Sequence, residues 1–391
     1  MISQTKQNSR LSKRVQSIKP SGIRRFFDLA SKMENIISLG VGEPDFITPW
    51  NTREASISSL ERGFTAYSAN AGLLELRREI SLYMDKRFAV QYDPETEVLV
   101  TVGASEAIDI GMRAILDEGD EVIVVEPSFV SYAPLVEMAG GVPVSVGTSI
   151  ENDFKVSASA IEKAITNRTK AIMLCFPNNP TGSTMNHKEL QDLVSVIERH
   201  DLLVFSDEIY AELTYDEKHV SFASLPKMRD RTILIQGFSK AFAMTGWRLG
   251  FVMAPPDLLA AMLKIHQYSL MCAPTMAQYG ALEALRSGLD EVERMKQSYK
   301  QRRNYIVKSF AEIGLTCHTP GGAFYAFPSI ERTGLSSEQF AEKLLLEERV
   351  AVVPGSVFGQ GGEGHIRCSY ATSMDNLEQS IERISRLLKS F

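Results

Sequence analysis

From Val98 to Met253 the chain alternates short apolar runs with amphipathic stretches, and this alternation restricts the fold more than any other feature. The runs Val98–Val102, Glu121–Val125, Val142–Val146, Ala171–Phe176, Leu202–Phe205, Thr232–Gln236 and Leu249–Met253 are short, nearly continuous and rich in β-branched side chains. That is the pattern of strands buried on both faces. Between them Ser105–Leu116, Tyr132–Ala139, Ala158–Ile165 and Lys188–His200 carry helical spacing. The expectation is an α/β fold with a mostly parallel seven-stranded sheet between helices. Such sheets bind ligands at the carboxyl ends of their strands, so functional side chains are sought there.

The flanks read differently. Residues 1–20 form a loosely ordered arm that ends at Pro20-Ser-Gly22; Ile23–Met33 has helical spacing and Ile36–Val41 is a short strand. Thr52–Arg62 and Leu73–Phe88 read as helices. After Pro255 come helices at Leu258–Tyr268 and Met276–Ser287 and a charged connector from about Asp290 to Ile313. A smaller α+β unit follows, with strands near Phe324–Phe327, Val350–Val353 and Ile366–Ser369 and helices at Glu338–Leu345 and Leu377–Leu388. With 391 residues to bury, two domains are expected, and the change of pattern puts their boundary near residue 290.

Several function classes are disfavoured. A net charge of -6 offers no electrostatic reason to bind nucleic acid or an anionic membrane. Cys175, Cys272, Cys317 and Cys368 are scattered without a CxxC pair, which suits neither a zinc site nor a disulfide framework and points to a reducing compartment. The six histidines are equally dispersed, so no metal is expected. The polar, basic stretch Met1–Ser17 has no apolar core of a signal peptide, and the expected location is cytoplasmic.

The strand ends carry the chemistry. Val102-Gly-Ala-Ser105 closes a strand and opens a helix, which directs free N–H groups and a helix dipole at one spot and suits a phosphate; a plain glycine turn would look the same. Pro177-Asn-Asn-Pro-Thr-Gly182 places the Asn179 amide at a strand end. Asp207 follows a buried strand, where a carboxylate is costly without a cation such as a protonated pyridine nitrogen, although it could simply cap the next turn. Lys240, among small and apolar residues in Gly237–Gly250, is placed to have a lowered pKa and act as an amine nucleophile, and Arg248 could grip a phosphate. Arg367, inside the apolar run His365–Tyr370, needs an anion if it faces inward, and a substrate carboxylate is a good bidentate match. Gly359-Gln-Gly-Gly-Glu-Gly364 matches GxGxxG, but a strand rather than a helix follows it, so a nucleotide site there is disfavoured.

With these residues in view, the chain resembles the class I/II aminotransferases, pyridoxal-phosphate enzymes of fold type I. The resemblance runs from about Ser21 to Leu388, and it looks closest to the prokaryotic aromatic and broad-specificity branch. It rests on Ser-Lys-Ala-Phe-Ala-Met-Thr-Gly-Trp-Arg (239–248), Asn-Pro-Thr-Gly (179–182), Asp-Glu-Ile-Tyr (207–210) and Gly-Glu-Pro-Asp (42–45) in family order. It implies a large cofactor-binding domain over 45–290, a small α+β C-terminal domain over 291–391, and an arm and segment over 1–44 packing on the small domain. It also implies site roles. Lys240 would carry pyridoxal phosphate and shuttle the substrate α-proton. Asp207 would pair with the pyridinium nitrogen, Tyr210 and Asn179 would bind the ring oxygen, and Phe129 would stack on the ring. Arg248 with the backbone of Ala104 and Ser105 would hold the phosphate, and Arg367 with the backbone of Gly42 the substrate α-carboxylate. Tyr67 would reach the phosphate of a neighbouring subunit, which implies a homodimer with shared active sites.

Two departures bear on function. Many relatives have serine three residues before the lysine, where Gly237 stands here, and Ser239 would compensate for the missing hydroxyl. The stretch His266–Pro274 lacks an arginine for a substrate side-chain carboxylate, which argues against strict aspartate specificity, while Tyr268, Ile23 and Phe324 suggest an apolar or aromatic pocket. The expected reaction moves an amino group from an L-amino acid, aromatic or otherwise uncharged, to 2-oxoglutarate. An amino-diacid aminotransferase of the N-acetyl-diaminopimelate kind and a carbon–sulfur β-lyase are the alternatives within the fold. A non-catalytic ligand sensor is the alternative from another class.

Overall fold

The computed structural model describes residues 10–18, 20 and 33–391; most of the arm and the expected helix from Ile23 up to Met33 lie outside them. A short strand, β1 (Ile37–Ser38), precedes the sheet strands β2 (Val98–Thr101), β3 (Glu121–Glu126), β4 (Val142–Gly147), β5 (Thr169–Cys175), β6 (Leu203–Asp207), β7 (Thr232–Gly237) and β8 (Gly250–Met253). These seven form one sheet in the order β2-β8-β7-β6-β5-β3-β4. β8 runs antiparallel to both neighbours, and every other pairing is parallel, so the expected mostly parallel seven-stranded sheet is present.

Strand burial does not simply follow the order. Every residue of β3, β7, β8 and the edge strand β2 is buried, whereas at the other edge only Val146 of β4 is. Apolar side chains from the two faces feed separate clusters. Val124, Met173, Phe205 and Val252 pack with the helices Gly103–Ile115 and Pro256–Ser269 on one side. Ile123, Ile172, Leu174 and Val204 pack with the helix His187–Arg199 on the other. That last helix starts at a capping box in which the Asn186 and Glu189 side chains each accept the other's backbone N–H.

The C-terminal part holds β9 (Tyr325–Ala326), β10 (Val350–Ala351), β11 (Val353–Pro354) and β12 (Ile366–Ser369). The expected single strand Val350–Val353 is two strands in different sheets. β10 pairs in parallel with β1, while β11 pairs with β12, which in turn pairs with β9. Val352 is the crossing point between sheets, and Pro354, without an N–H, ends the second strand at its edge. The 24-residue helix Leu289–Glu312 leads from the large sheet to this part. The glycine-rich stretch 359–364 leads into β12 and folds over Glu126 instead of opening a helix, with the Gln360 N–H donating to Glu126 Oε2 at 2.8 Å. Part of the arm is helical: Lys13–Ser17 is capped by Ser12, and Arg14 pairs with Glu118 at 2.6 Å.

Small shifts at strand ends bear directly on the site. The helix expected from Ser105 begins at Gly103, and Val102 is its N-cap rather than the last strand residue. β6 extends through Asp207, so that carboxylate belongs to the strand end itself.

Candidate active site

The carboxyl ends of the parallel strands and the N-terminus of the Gly103–Ile115 helix surround a cavity of about 530 Å³. Gly42, Ala104, Ser105, Phe129, Asn179, Asp207, Tyr210, Lys240, Arg248 and Arg367, drawn from seven separate stretches of sequence, all line it. Ser239 lines it too. Tyr67 does not, and it is 79% exposed. Of the residues expected to shape an aromatic pocket, Tyr268 is 90% exposed, Phe324 lies in the core behind the wall, and Ile23 falls outside the described residues.

Asp207 forms the buried floor. The Tyr132 hydroxyl donates to its Oδ2 at 2.7 Å and the Ile209 N–H to its Oδ1 at 3.2 Å. Burial nevertheless wins and pushes the carboxyl up to about 6, because two hydrogen bonds only partly replace the lost water. A cation against this carboxylate would remove that penalty.

Lys240 follows β7 by three residues, and its Nζ donates to the Gly42 carbonyl at 2.6 Å. Burial of the amine, reinforced by the nearby positive charge of Arg367, lowers its pKa to about 8. That leaves a useful fraction of neutral amine near pH 7.

Arg248 has a left-handed backbone (φ 51°) and donates to the Thr245 carbonyl at 3.2 Å. Its guanidinium lies against Gly103, where a Cβ would come within 2.7 Å of Nη2. Gly103 itself has φ +76°, so glycine satisfies both the turn and the close approach. The N–H groups of the first helical turn thus open next to a guanidinium.

Arg367, on β12, is 4% exposed. Its Nη1 donates to Asn179 Oδ1 at 2.9 Å and its Nη2 to the Gly40 carbonyl at 2.7 Å, while Nε is buried with no partner among the described residues. The Asn178 side chain accepts from the Thr181 N–H and hydroxyl, which fixes the turn that presents Asn179. Lys240, Arg248 and Arg367 all donate to neutral oxygen atoms, and none of the three forms an ion pair among the described residues, although Asp207 and Glu43 line the same cavity.

Among the lining residues that the sequence does not single out are Tyr132 and Tyr325. The Tyr325 hydroxyl lies 2.8 Å from that of Tyr210, and Arg367 stacks 4.5 Å above the Tyr325 ring. Each lies in an apolar stretch, Tyr325 between Phe324 and Phe327, a pattern that reads as core. The one signal for Tyr132 was its position three residues after Phe129. Gly237 is closely packed, since a Cβ there would lie 3.0 Å from Gly250 Cα.

Comparison with known proteins follows the same lines. The family model described as aminotransferase class I and II matches residues 34–384. A putative aminotransferase of Bacillus subtilis (strain 168) is 61% identical over 97% of this chain and 98% of its own. An aspartate aminotransferase of Pyrococcus abyssi (strain GE5 / Orsay) is 46% identical over 97% and 98%. The crystal structure of an aromatic aminotransferase from Pyrococcus horikoshii OT3 superposes with a TM-score of 0.90 at 44% identity, covering 94% of this chain and 99% of that one.

Proposed function

The chain belongs to the class I and II aminotransferases and has their fold type I architecture, and from that premise we propose that it moves an amino group from an L-amino acid with an aromatic or other uncharged side chain to 2-oxoglutarate, using pyridoxal phosphate. The convergence of Lys240, Arg248 and Arg367, none of them ion-paired among the described residues, on a cavity floored by Asp207 carries this reading. The donor set fits the cofactor: an amine for its aldehyde, a guanidinium and helix N–H groups for its phosphate, and a buried carboxylate for its ring nitrogen. The buried, unpartnered Nε of Arg367 fits a further anion, the substrate carboxylate.

When bound, pyridoxal phosphate supplies an aldehyde carbon for the amino group and a protonated ring that withdraws electrons from the substrate Cα. The protein's own groups do the rest. Asp207, oriented by Tyr132, keeps the ring-nitrogen proton in place. Arg248 and the N–H groups of Ala104 and Ser105 anchor the phosphate end. Tyr210 and Asn179 would bind the ring oxygen, and Phe129 would cover the ring. Arg367, with the Gly42 backbone, fixes the α-carboxylate and so aims the Cα–H bond at Lys240, whose Nζ takes the proton.

With Lys240 on the cofactor aldehyde, Arg248 on its phosphate and Arg367 on the α-carboxylate, the described residues lining the cavity offer no further cation for a side-chain carboxylate, and Glu43 adds a negative charge. This favours an uncharged donor. 2-Oxoglutarate presents Arg367 with the same carboxylate next to a carbonyl that the donor's oxo product does, and its distal carboxylate would have to be met by neutral donors or by the second copy of the proposed homodimer. In this reading residues 45–290 carry the cofactor, and 291–391, with 1–44 joined to them through β1 and β10, bring Arg367 to the substrate. The exposed Tyr67 is read as reaching the phosphate of a second copy in a homodimer, and the protein as cytoplasmic. No helix among the described residues is long and apolar enough to cross a membrane.

The test is a single-turnover panel in which the holoenzyme is mixed with each amino acid and loss of the visible cofactor band is followed. Aromatic and aliphatic donors should convert fastest, and 2-oxoglutarate should restore the band. Faster conversion by aspartate than by any uncharged amino acid would refute the donor assignment, and pyruvate and ammonia release from cystathionine without an oxo-acid would favour a lyase.

A further inference from the structure

Tyr325 has no role in the reaction as set out above, yet its placement is specific. It sits on β9, pairs through Ser369 with the strand that bears Arg367, and is 1% exposed. Its hydroxyl lies 2.8 Å from the Tyr210 hydroxyl, and the two rings meet edge to face at 5.8 Å. Each hydroxyl has one proton, so only one can donate to the other. The direction of that bond matters, because the proton that is not used in the pair is free to point elsewhere.

The surroundings decide the direction. Burial raises the pKa of the Tyr325 phenol, and the Arg367 guanidinium, 4.5 Å over its ring, is the strongest influence opposing that rise. Arg367 acts on Tyr210 as well, but there the positive charge ranks behind burial and the Tyr325 contacts that oppose ionisation. The more acidic of two paired phenols is the better donor, so Tyr325 donates and Tyr210 accepts. A hydroxyl that accepts a hydrogen bond is itself polarised into a stronger donor.

We infer that Tyr325 is a positioning residue that donates its hydroxyl proton to Tyr210, so that the Tyr210 proton is directed into the cavity at the ring oxygen of the cofactor and the proton affinity of the Lys240–cofactor linkage is held down. The inference rests on the reading that pyridoxal phosphate is carried on Lys240 with Tyr210 at its ring oxygen. Donation to that oxygen withdraws electron density from the adjacent linkage nitrogen and weakens its hold on a proton. Tyr325 therefore acts on the cofactor only through Tyr210, while its ring separately supports Arg367.

The experiment is a pH titration of the visible band in four holoenzymes: wild type, Tyr325→Phe, Tyr210→Phe and the double variant. Tyr325→Phe should raise the apparent pKa of the band by roughly half a unit to one unit, the size expected for one hydrogen bond. In the Tyr210→Phe background the same change should add nothing. Because phenylalanine keeps a ring beneath Arg367, KM for the amino acid should stay within about twofold while kcat falls. An unchanged pKa in Tyr325→Phe, or a shift of full size in the double variant, overturns the inference. A wild-type protein that shows no visible band with pyridoxal phosphate overturns instead the cofactor reading beneath it. Should Tyr325→Phe fail to fold, 3-fluorotyrosine in place of Tyr325, a more acidic donor of nearly the same shape, should lower the pKa of the band, and a rise or no change would again overturn the inference.

Discussion

Tyr132 donates its hydroxyl proton to Oδ2 of Asp207 at 2.7 Å, joining the first residue of a helix to the last residue of β6 at the floor of the cavity. The bond holds down the pKa of a carboxylate that burial still pushes up to about 6, from an ordinary value of 3.8. A raised folded-state pKa means that this group favours the fold below about pH 4 and that the contribution is lost as pH rises through 6. Two units correspond to about 3 kcal/mol. The apoprotein should therefore lose stability of that order from Asp207 between pH 4 and 7, while the holoenzyme, with a cation against the carboxylate, should not. Urea unfolding of both forms across that range measures the difference, and Tyr132→Phe should enlarge it. Parallel pH profiles for apoprotein and holoenzyme would contradict the pairing of Asp207 with a cofactor cation.

Lys240 sets a second pH dependence, of opposite sense. Its pKa is lowered to about 8, so the neutral amine population grows about tenfold per pH unit below that value and levels off above it. Apoprotein mixed with pyridoxal phosphate should develop its visible band at a rate that follows this curve. A rate still rising at pH 10 would mean that the amine keeps its ordinary pKa, and Lys240→Ala should develop no band at all.

The parts of the site that could be read from sequence were those where charge stands out against its surroundings. Lys240, Asp207 and Arg367 are ionisable groups in apolar stretches, and each needs a partner for a physical reason. Tyr132 and Tyr325 could not be read this way, because a tyrosine ring satisfies an apolar pattern whether or not its hydroxyl is used. The same asymmetry holds for the fold. The seven sheet strands follow from alternation alone, but Val350–Val353 reads as one strand, since nothing local signals that the chain changes sheets at Val352. Similarly, the apolar run ends at Phe205 and leaves Asp207 just beyond it, although the Asp207 backbone pairs in register with Cys175 and Ile235.

Gly103 offers a test of the phosphate end that leaves the reacting groups untouched. Its φ of +76° strains any other residue, and an added Cβ would press on Arg248 Nη2. Gly103→Ala should cost about 1–2 kcal/mol of stability through the backbone. It should also weaken cofactor retention by tenfold or more through displacement of Arg248, read as the dissociation constant of the apoprotein for pyridoxal phosphate. Substrate KM at saturating cofactor should barely change. A variant that lost stability but kept its cofactor affinity would separate Arg248 from the phosphate.

Arg367→Lys tests the carboxylate end. Arginine here divides its donors between Asn179 Oδ1, the Gly40 carbonyl and, by our reading, the substrate, and a lysine ammonium cannot reproduce that planar fork. Losing a bidentate, charge-assisted pair should lower kcat/KM by roughly a hundredfold to a thousandfold, about 3–4 kcal/mol. Most of the loss should fall on KM, because the chain retains Lys240, Asp207 and the phosphate anchors. Both substrates present their α-carboxylate to the same residue, so KM should rise by similar factors for the amino donor and for the oxo-acid acceptor. Steady-state kinetics with each substrate varied in turn measures this. A rise confined to the acceptor would move Arg367 from the α-carboxylate to the distal carboxylate and reverse the assignment of the two ends of the pocket.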